Sequence, residues 1–311
     1  MSLIDKVKAT LKSQDTEGPF ELYVTRTPGY LWACLFKWLG VHPVAVTLMS
    51  IAIGAASGWF FYSENLETNL IGMVLLIWAN WYDCADGQLA RMTGKRTLIG
   101  RILDGFCGDV WFFFIYLFLC LRMQGQNIPF TNVEWGIWIW ILGAWAGLRC
   151  HGRQCAIGDY YRNIHMFFLC GKDKAELDSH ARIQNEMNSM KWISRDWFHK
   201  LYLYFYARYT GSQEAQVKSF HKMMHRLQKK YGEDIPDTIR EDFCKESRPL
   251  MPLTNIITFD TRVAVLFLSI GFGIPWLYFI FESTVLEAIR FHMIKRHERL
   301  CERITKQYTE N

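Results

Sequence analysis

Two stretches of this chain, 38–63 and 263–281, contain no Asp, Glu, Lys or Arg. An uninterrupted apolar run of roughly 20 residues is what a single helix needs to cross the hydrocarbon core of a bilayer. In lipid every backbone N–H and C=O must be paired within the segment, so such runs dictate helices. Three shorter charge-free stretches, 68–82, 110–121 and 135–148, reach spanning length only by carrying charged neighbours into the membrane. Each such charge costs about 2.5 to 3.5 kcal/mol at mid-depth on insertion scales, so these residues must face the inside of a helix bundle. Half of the chain is hydrophobic and 13 residues are Trp, which fits an all-α integral membrane protein better than a soluble domain.

Charge asymmetry orients the bundle. The connection after the second apolar stretch carries Arg91, Lys95, Arg96 and Arg101, whereas 63–68 is acidic and 124–133 has no Lys or Arg. The positive-inside rule puts the basic connection and both termini in the cytoplasm. Spans are expected at 43–62, 69–90, 100–121 and 135–155. The last apolar run would send the basic tail "IKRHERLCERITK" outside if it were one span. A hairpin at 271–275 returns that tail, giving spans at 255–271 and 274–293 and six transmembrane helices in all.

The expected organisation is an N-terminal cytoplasmic and interfacial segment over 1–42, core helices over 43–170, a hydrophilic helical cytoplasmic insertion over 171–252, a final pair over 253–295 and a tail over 296–311. Aromatics with sparse cations before the first span fit a helix lying along the interface. The opening "MSLIDKVKATLKSQDTEGPF" lacks an apolar core and a small-residue cleavage site, so no secretory leader is expected. The nine cysteines read as reduced and structural; Cys150 and Cys155 beside His151 lack the second half of a zinc site. A net charge of +5 gives no reason to expect nucleic acid.

Against this background, "YDCADGQLARMTGKRTLIGRILDGFCGD" places Asp83, Asp86, Asp104 and Asp109 at the membrane boundary. On a helix Asp83 and Asp86 share a face, with Ala90 and Arg91 one turn further on. The chain then loops back, and Gly100–Asp104 sets a third carboxylate opposite the first two. Converging carboxylates repel unless a divalent cation neutralises them; hard oxygen ligands select Mg²⁺, Mn²⁺ or Ca²⁺, and a metal pair suits phosphoryl transfer. Gly87 lets a diphosphate approach the backbone, and Arg91 can take phosphate charge.

The spacing of Asp83, Asp86, Gly87, Ala90, Arg91, Gly100 and Asp104 resembles the signature of the CDP-alcohol phosphotransferases. The upstream "GVHPVAVTLMSIAIGAASG" is similar to that family's first span, with Pro43-Val44 where Pro-Asn is usual. The likeness covers about residues 25–150 and, loosely, the final helix pair. It implies a six-helix membrane enzyme that moves a substituted phosphoryl group from a CDP-linked donor to an alcohol, releasing CMP. It further implies that Asp83, Asp86 and Asp104 bind two Mg²⁺ or Mn²⁺ ions and that Gly87, Ala90, Arg91 and Gly100 line the CDP site.

One position departs from the pattern. The family's proton-accepting aspartate is due four residues after Asp104, where Gly108 stands; Asp109 follows. A five-residue step on a regular helix turns a side chain about 140° away. A one-residue π-bulge would restore Asp109 to the site as base and fourth metal-side carboxylate, and Gly105 and Gly108 make such irregularity cheaper. Arg149 and Arg153 are candidates for a phosphorylated acceptor, although a basic membrane flank is an equal reading. Asp260, Arg262, Glu282 and Glu287 are expected to pair between helices, and His221 and His225 to be surface residues.

Three functions stay open at this level. The first uses a CDP-diacylglycerol-type donor and a small polar alcohol in phospholipid biosynthesis; the second uses CDP-choline or CDP-ethanolamine and a lipid alcohol. The third, a divalent-cation transporter, would place carboxylates deep in several spans. Membrane lipids are partners in each, and a second copy of the chain is left open.

Overall fold

The computed structural model describes residues 2–11, 15–171, 177, 179–190, 197–232 and 234–309, with the side chains at 98, 102, 197 and 198 left aside. Positions 172–176, 178, 191–196 and 233 of the expected insertion lie outside the described residues. In chain order the helices are α1 (Leu3–Ala9), α2 (Thr27–Trp38), α3 (Pro43–Phe61), α4 (Leu66–Thr93), α5 (Leu98–Met123), α6 (Gly136–Ala144), α7 (Gly152–Cys170), α8 (His180–Ser189), α9 (Trp197–Ala215), α10 (Lys218–Tyr231), α11 (Asp237–Ser247), α12 (Met251–Ile257), α13 (Asp260–Gly271), α14 (Trp276–Phe281) and α15 (Glu287–Thr309). Wider π-helical turns occur at Glu21–Arg26, Trp145–His151 and Glu282–Leu286. No strand occurs among the described residues beyond an isolated bridge between Asn127 and Glu134.

Local chemistry sets the boundaries around the aspartates. Asn65 Oδ1 accepts from the Glu67 N–H at 2.9 Å and starts α4. The helix ends at Gly94, whose φ of +68° is left-handed backbone that glycine adopts without a Cβ clash. Three residues later Thr97 Oγ1 accepts from the Gly100 N–H at 3.0 Å and opens α5. The short reversal brings the end of α4 against the start of α5. At the other end of the chain, Gly273 has φ +71° and the Ile274 N–H returns to Ser269 O at 2.8 Å. Pro275 then leads into α14, so the chain turns at the glycine-proline segment expected to be a hairpin.

Among the described residues, three helical runs are long and apolar enough to cross a membrane: Pro43–Phe61, Ile99–Met123 and Asp237–Gly271. The 28-residue α4 has the length, at roughly 1.5 Å per residue, but carries Asp83, Asp86 and Arg91.

The chain divides into two compact units, the first being Met1–Gly152 with Arg262–Thr284. There α3 packs against both α4 and α5, and small residues on its buried face permit the approach. A Cβ at Gly58 would lie 2.8 Å from the backbone carbonyl carbon of Phe114 and 2.9 Å from the Ile115 nitrogen. Ser50 joins three helices: its hydroxyl donates to Ala79 O on α4 at 2.6 Å, and its own carbonyl accepts from Trp111 Nε1 on α5 at 3.1 Å.

The second unit is Arg153–Thr261 with Val285–Asn311. Its core is wider than the 171–252 stretch that hydrophilicity singles out. Tyr161, Ile164 and Phe168 of α7, Phe220 and Leu227 of α10, Phe243 of α11, and Leu300 and Ile304 of α15 form one buried cluster. Phe168 stacks on Phe243 at 3.9 Å and Tyr161 on His297 at 4.2 Å. The apolar side of α7, expected from hydropathy to continue the fourth span to 155, is thus covered by protein. Hydropathy cannot separate a lipid-facing side from a core-facing one.

Candidate active site

Asp83 and Asp86 lie one helical turn apart on α4, and Asp104 lies in the first turns of α5. One carboxylate oxygen from each can be chosen so that all three lie within 4.8 Å of one another. Among the described residues this is the one cluster of His, Cys, Asp or Glu that could hold a metal ion. Asp86 is buried, Asp83 partly buried and Asp104 exposed, so the cluster opens to one side. Thr47 of α3 donates its hydroxyl to Asp86 Oδ2, while Asp83 Oδ1 is buried with no hydrogen-bond partner. A buried carboxylate oxygen left unpaired beside two further carboxylates is costly without a cation. The donor set, all hard oxygen, fits Mg²⁺ or Mn²⁺.

Next to the carboxylates, α4 offers a cradle. Gly87 lies one turn before Arg91, and a Cβ at 87 would meet the Arg91 Nη1 at 3.4 Å, an ordinary contact. The fold itself therefore does not require glycine here; its bareness leaves open surface beside a guanidinium. Arg91 Nε and Gln88 Oε1 are buried without hydrogen-bond partners. Ala90 shares this helix, and at the mouth of the reversal a Cβ at Gly100 would lie 3.0 Å from Thr97 Oγ1 and 3.4 Å from Val44 Cγ2.

The N-terminal segment is strapped to the same turn. Arg26 donates to Glu17 at 2.8 and 3.0 Å, and its carbonyl accepts from Gln88 Nε2 at 3.2 Å. Trp81 Nε1 donates to Val24 O at 2.9 Å. Along α2, Trp32 meets Tyr82 edge-on at 5.0 Å, and Pro28, Leu31, Trp32 and Leu35 line a shallow apolar groove.

Asp109 lies elsewhere. The expected π-bulge in α5 is absent: the helix is regular α from Leu98 to Met123. The physical reason is packing, because an extra residue would rotate Cys107, Trp111 and Ile115, all buried, off their contacts with α3. Asp109 therefore keeps the regular register, about 140° around α5 from Asp104. It lies outside the metal-binding group, and its Oδ1 is 3.6 Å from His151 Nε2. The π-helical geometry falls on the neighbouring element instead, ending at His151.

Of the other sequence candidates, Arg149 stacks over Trp145 at 5.7 Å with Nη1 buried and unpaired. Arg153 belongs to the second compact unit. Further along α7, Asp159 and Arg162 serve that unit's packing: Arg162 reaches Thr254, Asn255 and Thr258 at 2.7–3.1 Å, and Tyr209 donates to Asp159. Arg262 and Glu282 pair as expected, both with 0% exposure. Sequence reasoning missed Thr47, Ser50 and His151. The first two are signalled by hydroxyls three residues apart in an otherwise apolar helix; His151 carries no local signal beyond two cysteines it does not join.

Residues 40–154 match the family described as CDP-alcohol phosphatidyltransferase. Over those residues, fewer than half of the chain, it is similar to the CDP-alcohol phosphatidyltransferase family. The match contains all three clustered aspartates, Gly87, Arg91 and Gly100, and stops at 154. Comparison with curated proteins and with solved structures gave no match. That family is one of transferases of substituted phosphate groups. The family binds a CDP-alcohol donor and an alcohol acceptor, is membrane-bound and is generally dependent on divalent metal.

Proposed function

We propose that this enzyme transfers a phosphatidyl-type group from a CDP-diacylglycerol-like donor to a small polar alcohol, releasing CMP at the cytoplasmic boundary of a six-span bundle. The observation that carries the reading is the convergence of Asp83, Asp86 and Asp104 within 4.8 Å, with one buried carboxylate oxygen unpartnered. These three residues would hold Mg²⁺ or Mn²⁺, two ions in this reading; the metal supplies charge neutralisation on a diphosphate. Gly87 and Arg91 receive that diphosphate, the first by leaving backbone uncovered and the second by a guanidinium suited to phosphate oxygens. The groove on α2 supports a lipid-tailed donor, since Trp32 in its wall touches Tyr82, the residue before Asp83. The cytoplasmic assignment rests on Arg91, Lys95, Arg96 and Arg101 around the site.

In the transfer, the acceptor hydroxyl oxygen bonds to the β-phosphorus as the bond to the bridging oxygen breaks, CMP leaves with that oxygen, and the hydroxyl proton is lost to solvent at the open side of the cluster. Arg149 favours an acceptor that carries a phosphate. The test is CMP release by purified protein in nanodiscs, with CDP-diacylglycerol and CDP-choline each offered against inositol phosphate, serine and diacylglycerol in Mg²⁺ or Mn²⁺. Release from CDP-diacylglycerol with a polar alcohol is expected. Release only from CDP-choline with diacylglycerol would reverse donor and acceptor, and metal flux without any CMP would remove the transferase reading.

A further inference from the structure

Helix α10 presents two opposite chemistries. Its sequence "KSFHKMMHRLQKKY" puts Phe220, Met223 and Leu227 at helical spacing, and all three are buried in the core of the second unit. The other side carries Lys218, His221, Lys222, His225 and Lys229, every one exposed. Steps of three and four residues align them in a stripe about 16 Å long on one face. No Asp or Glu occurs between 218 and 231 to neutralise it. The carboxylates of α15 that reach α10 go to its first turn instead, where Glu298 accepts from the Ser219 N–H at 3.0 Å and Glu302 from the Ser219 hydroxyl at 3.4 Å.

Within the stripe, His221, Lys222, His225 and Arg226 line a shallow open groove with no carboxylate in its wall. His221 Nε2 lies 3.4 Å from Tyr160 Oη, a contact that steadies the ring. A solvated helix face usually mixes signs, as α15 does, where exposed Lys295, Arg296 and Arg299 are interleaved with Glu298 and Glu302. On α10 the lysines repel one another without acidic partners. An anionic surface lying against the stripe removes that cost.

The kind of anion follows from how the helix is held. With its apolar side taken up by the core, α10 has no face left to insert between acyl chains, so it meets a bilayer through charge at headgroup level. The second unit is joined to the first at 152–153, 261–262 and 284–285, and the first contains the apolar runs Pro43–Phe61 and Ile99–Met123. Three chain connections to such runs keep the concentration of headgroups around this unit above that of a dissolved polyanion. We infer that the basic stripe of α10 is a docking face for anionic phospholipid headgroups, with the groove at His221–Arg226 seating a headgroup phosphate. This needs a membrane-embedded chain and is independent of the transferase reading.

The experiment labels the lysines of the full chain in nanodiscs with a water-soluble amine reagent and reads each site by mass spectrometry. Nanodiscs of phosphatidylcholine alone are compared with nanodiscs that also contain phosphatidylglycerol. Labelling of Lys222 and Lys229 should fall about fivefold or more in the anionic discs, the shift expected from a single lysine's attraction to anionic lipid. It should recover in about 0.5 M NaCl, which screens charge over a few ångströms. Lys245 on α11, also exposed, should be unchanged. In Lys222→Glu/Lys229→Glu, the protection of Lys218 should disappear. Equal labelling of Lys222 and Lys229 in both discs would overturn the inference, as would protection of Lys218 retained in the double variant. An equal fall at Lys245 would mean general exclusion of the reagent from anionic discs and would overturn it too. Protection by RNA or inorganic phosphate in neutral discs, with none from phosphatidylglycerol, would assign the face to a soluble partner and overturn it as well. CMP release is read separately on the same preparation, so its absence would remove the transferase reading and leave this inference standing.

Discussion

Replacing Gly87 with alanine separates what the fold needs at that position from what the substrate needs. The new Cβ would meet no protein atom closer than the Arg91 Nη1 at 3.4 Å, so the substitution creates no clash. Gly87 lies inside α4, where glycine costs roughly 0.5 to 1 kcal/mol relative to alanine through chain entropy. Gly87→Ala should therefore raise unfolding stability by about that amount. A donor diphosphate resting against the bare backbone would meet the methyl group directly. KM for the CDP donor should rise about tenfold or more, as for the loss of roughly 1.4 kcal/mol of binding. The assay pairs denaturation of the detergent-solubilised protein with CMP-release kinetics on one preparation. Lower stability would show that the fold itself requires glycine. Unchanged donor KM with higher stability would refute the placement of the diphosphate over residue 87.

Other perturbations bear on separate parts of the account. Asp83→Asn, Asp86→Asn and Asp104→Asn should each lower CMP release at least 100-fold without unfolding the protein, and EDTA should abolish wild-type release until Mg²⁺ or Mn²⁺ is restored. Gly58→Val should destabilise the first unit by about 1 to 3 kcal/mol, the usual effect of overpacking, because its Cβ would lie 2.8 Å from the Phe114 backbone; urea unfolding checks it. Asp109→Ala should leave CMP release near wild type, since the regular α5 turns residue 109 about 140° from Asp104; a large loss would place Asp109 at the site after all.

In the second unit, beyond the last apolar stretch, burial pushes the His297 imidazole down to about 3. Its folded value is below the unfolded one, near 6.5, so the unfolded chain takes up the proton first. Stability is full above about pH 6.5 and falls as pH drops toward 3, by about 2 kcal/mol at pH 5. His297→Phe should flatten that part of the profile in pH-dependent unfolding.

How much of this was legible in the sequence depended on whether the relation was local. Asp83 and Asp86 share a face because three residues make nearly one helical turn, and Asp104 returns because a glycine and a capping threonine reverse the chain. The reversal at 271–275 followed from the basic tail, which a single span would send to the other side, and the Arg262–Glu282 pair from the cost of lone charges in lipid. The position of the π-helical turns was not legible. Gly105 and Gly108 made α5 the cheap place for one, yet the fit of Trp111 and Ile115 against α3 holds α5 regular. The irregularity falls at Trp145–His151, whose sequence gives no sign of it. Thr47 matters through a contact with a residue on another helix, which no spacing rule encodes. The breadth of the second core escaped for a different reason: Tyr161, Ile164 and Phe168 look the same in sequence whether lipid or Phe243 covers them.

Anomalous diffraction from crystals soaked with Mn²⁺ and CDP would test the central claim most directly. The account predicts manganese peaks bonded to Asp83, Asp86 and Asp104, with the diphosphate oxygens between the metal and Gly87–Arg91. Manganese at any other place, or a nucleotide bound without metal at these three carboxylates, would contradict it.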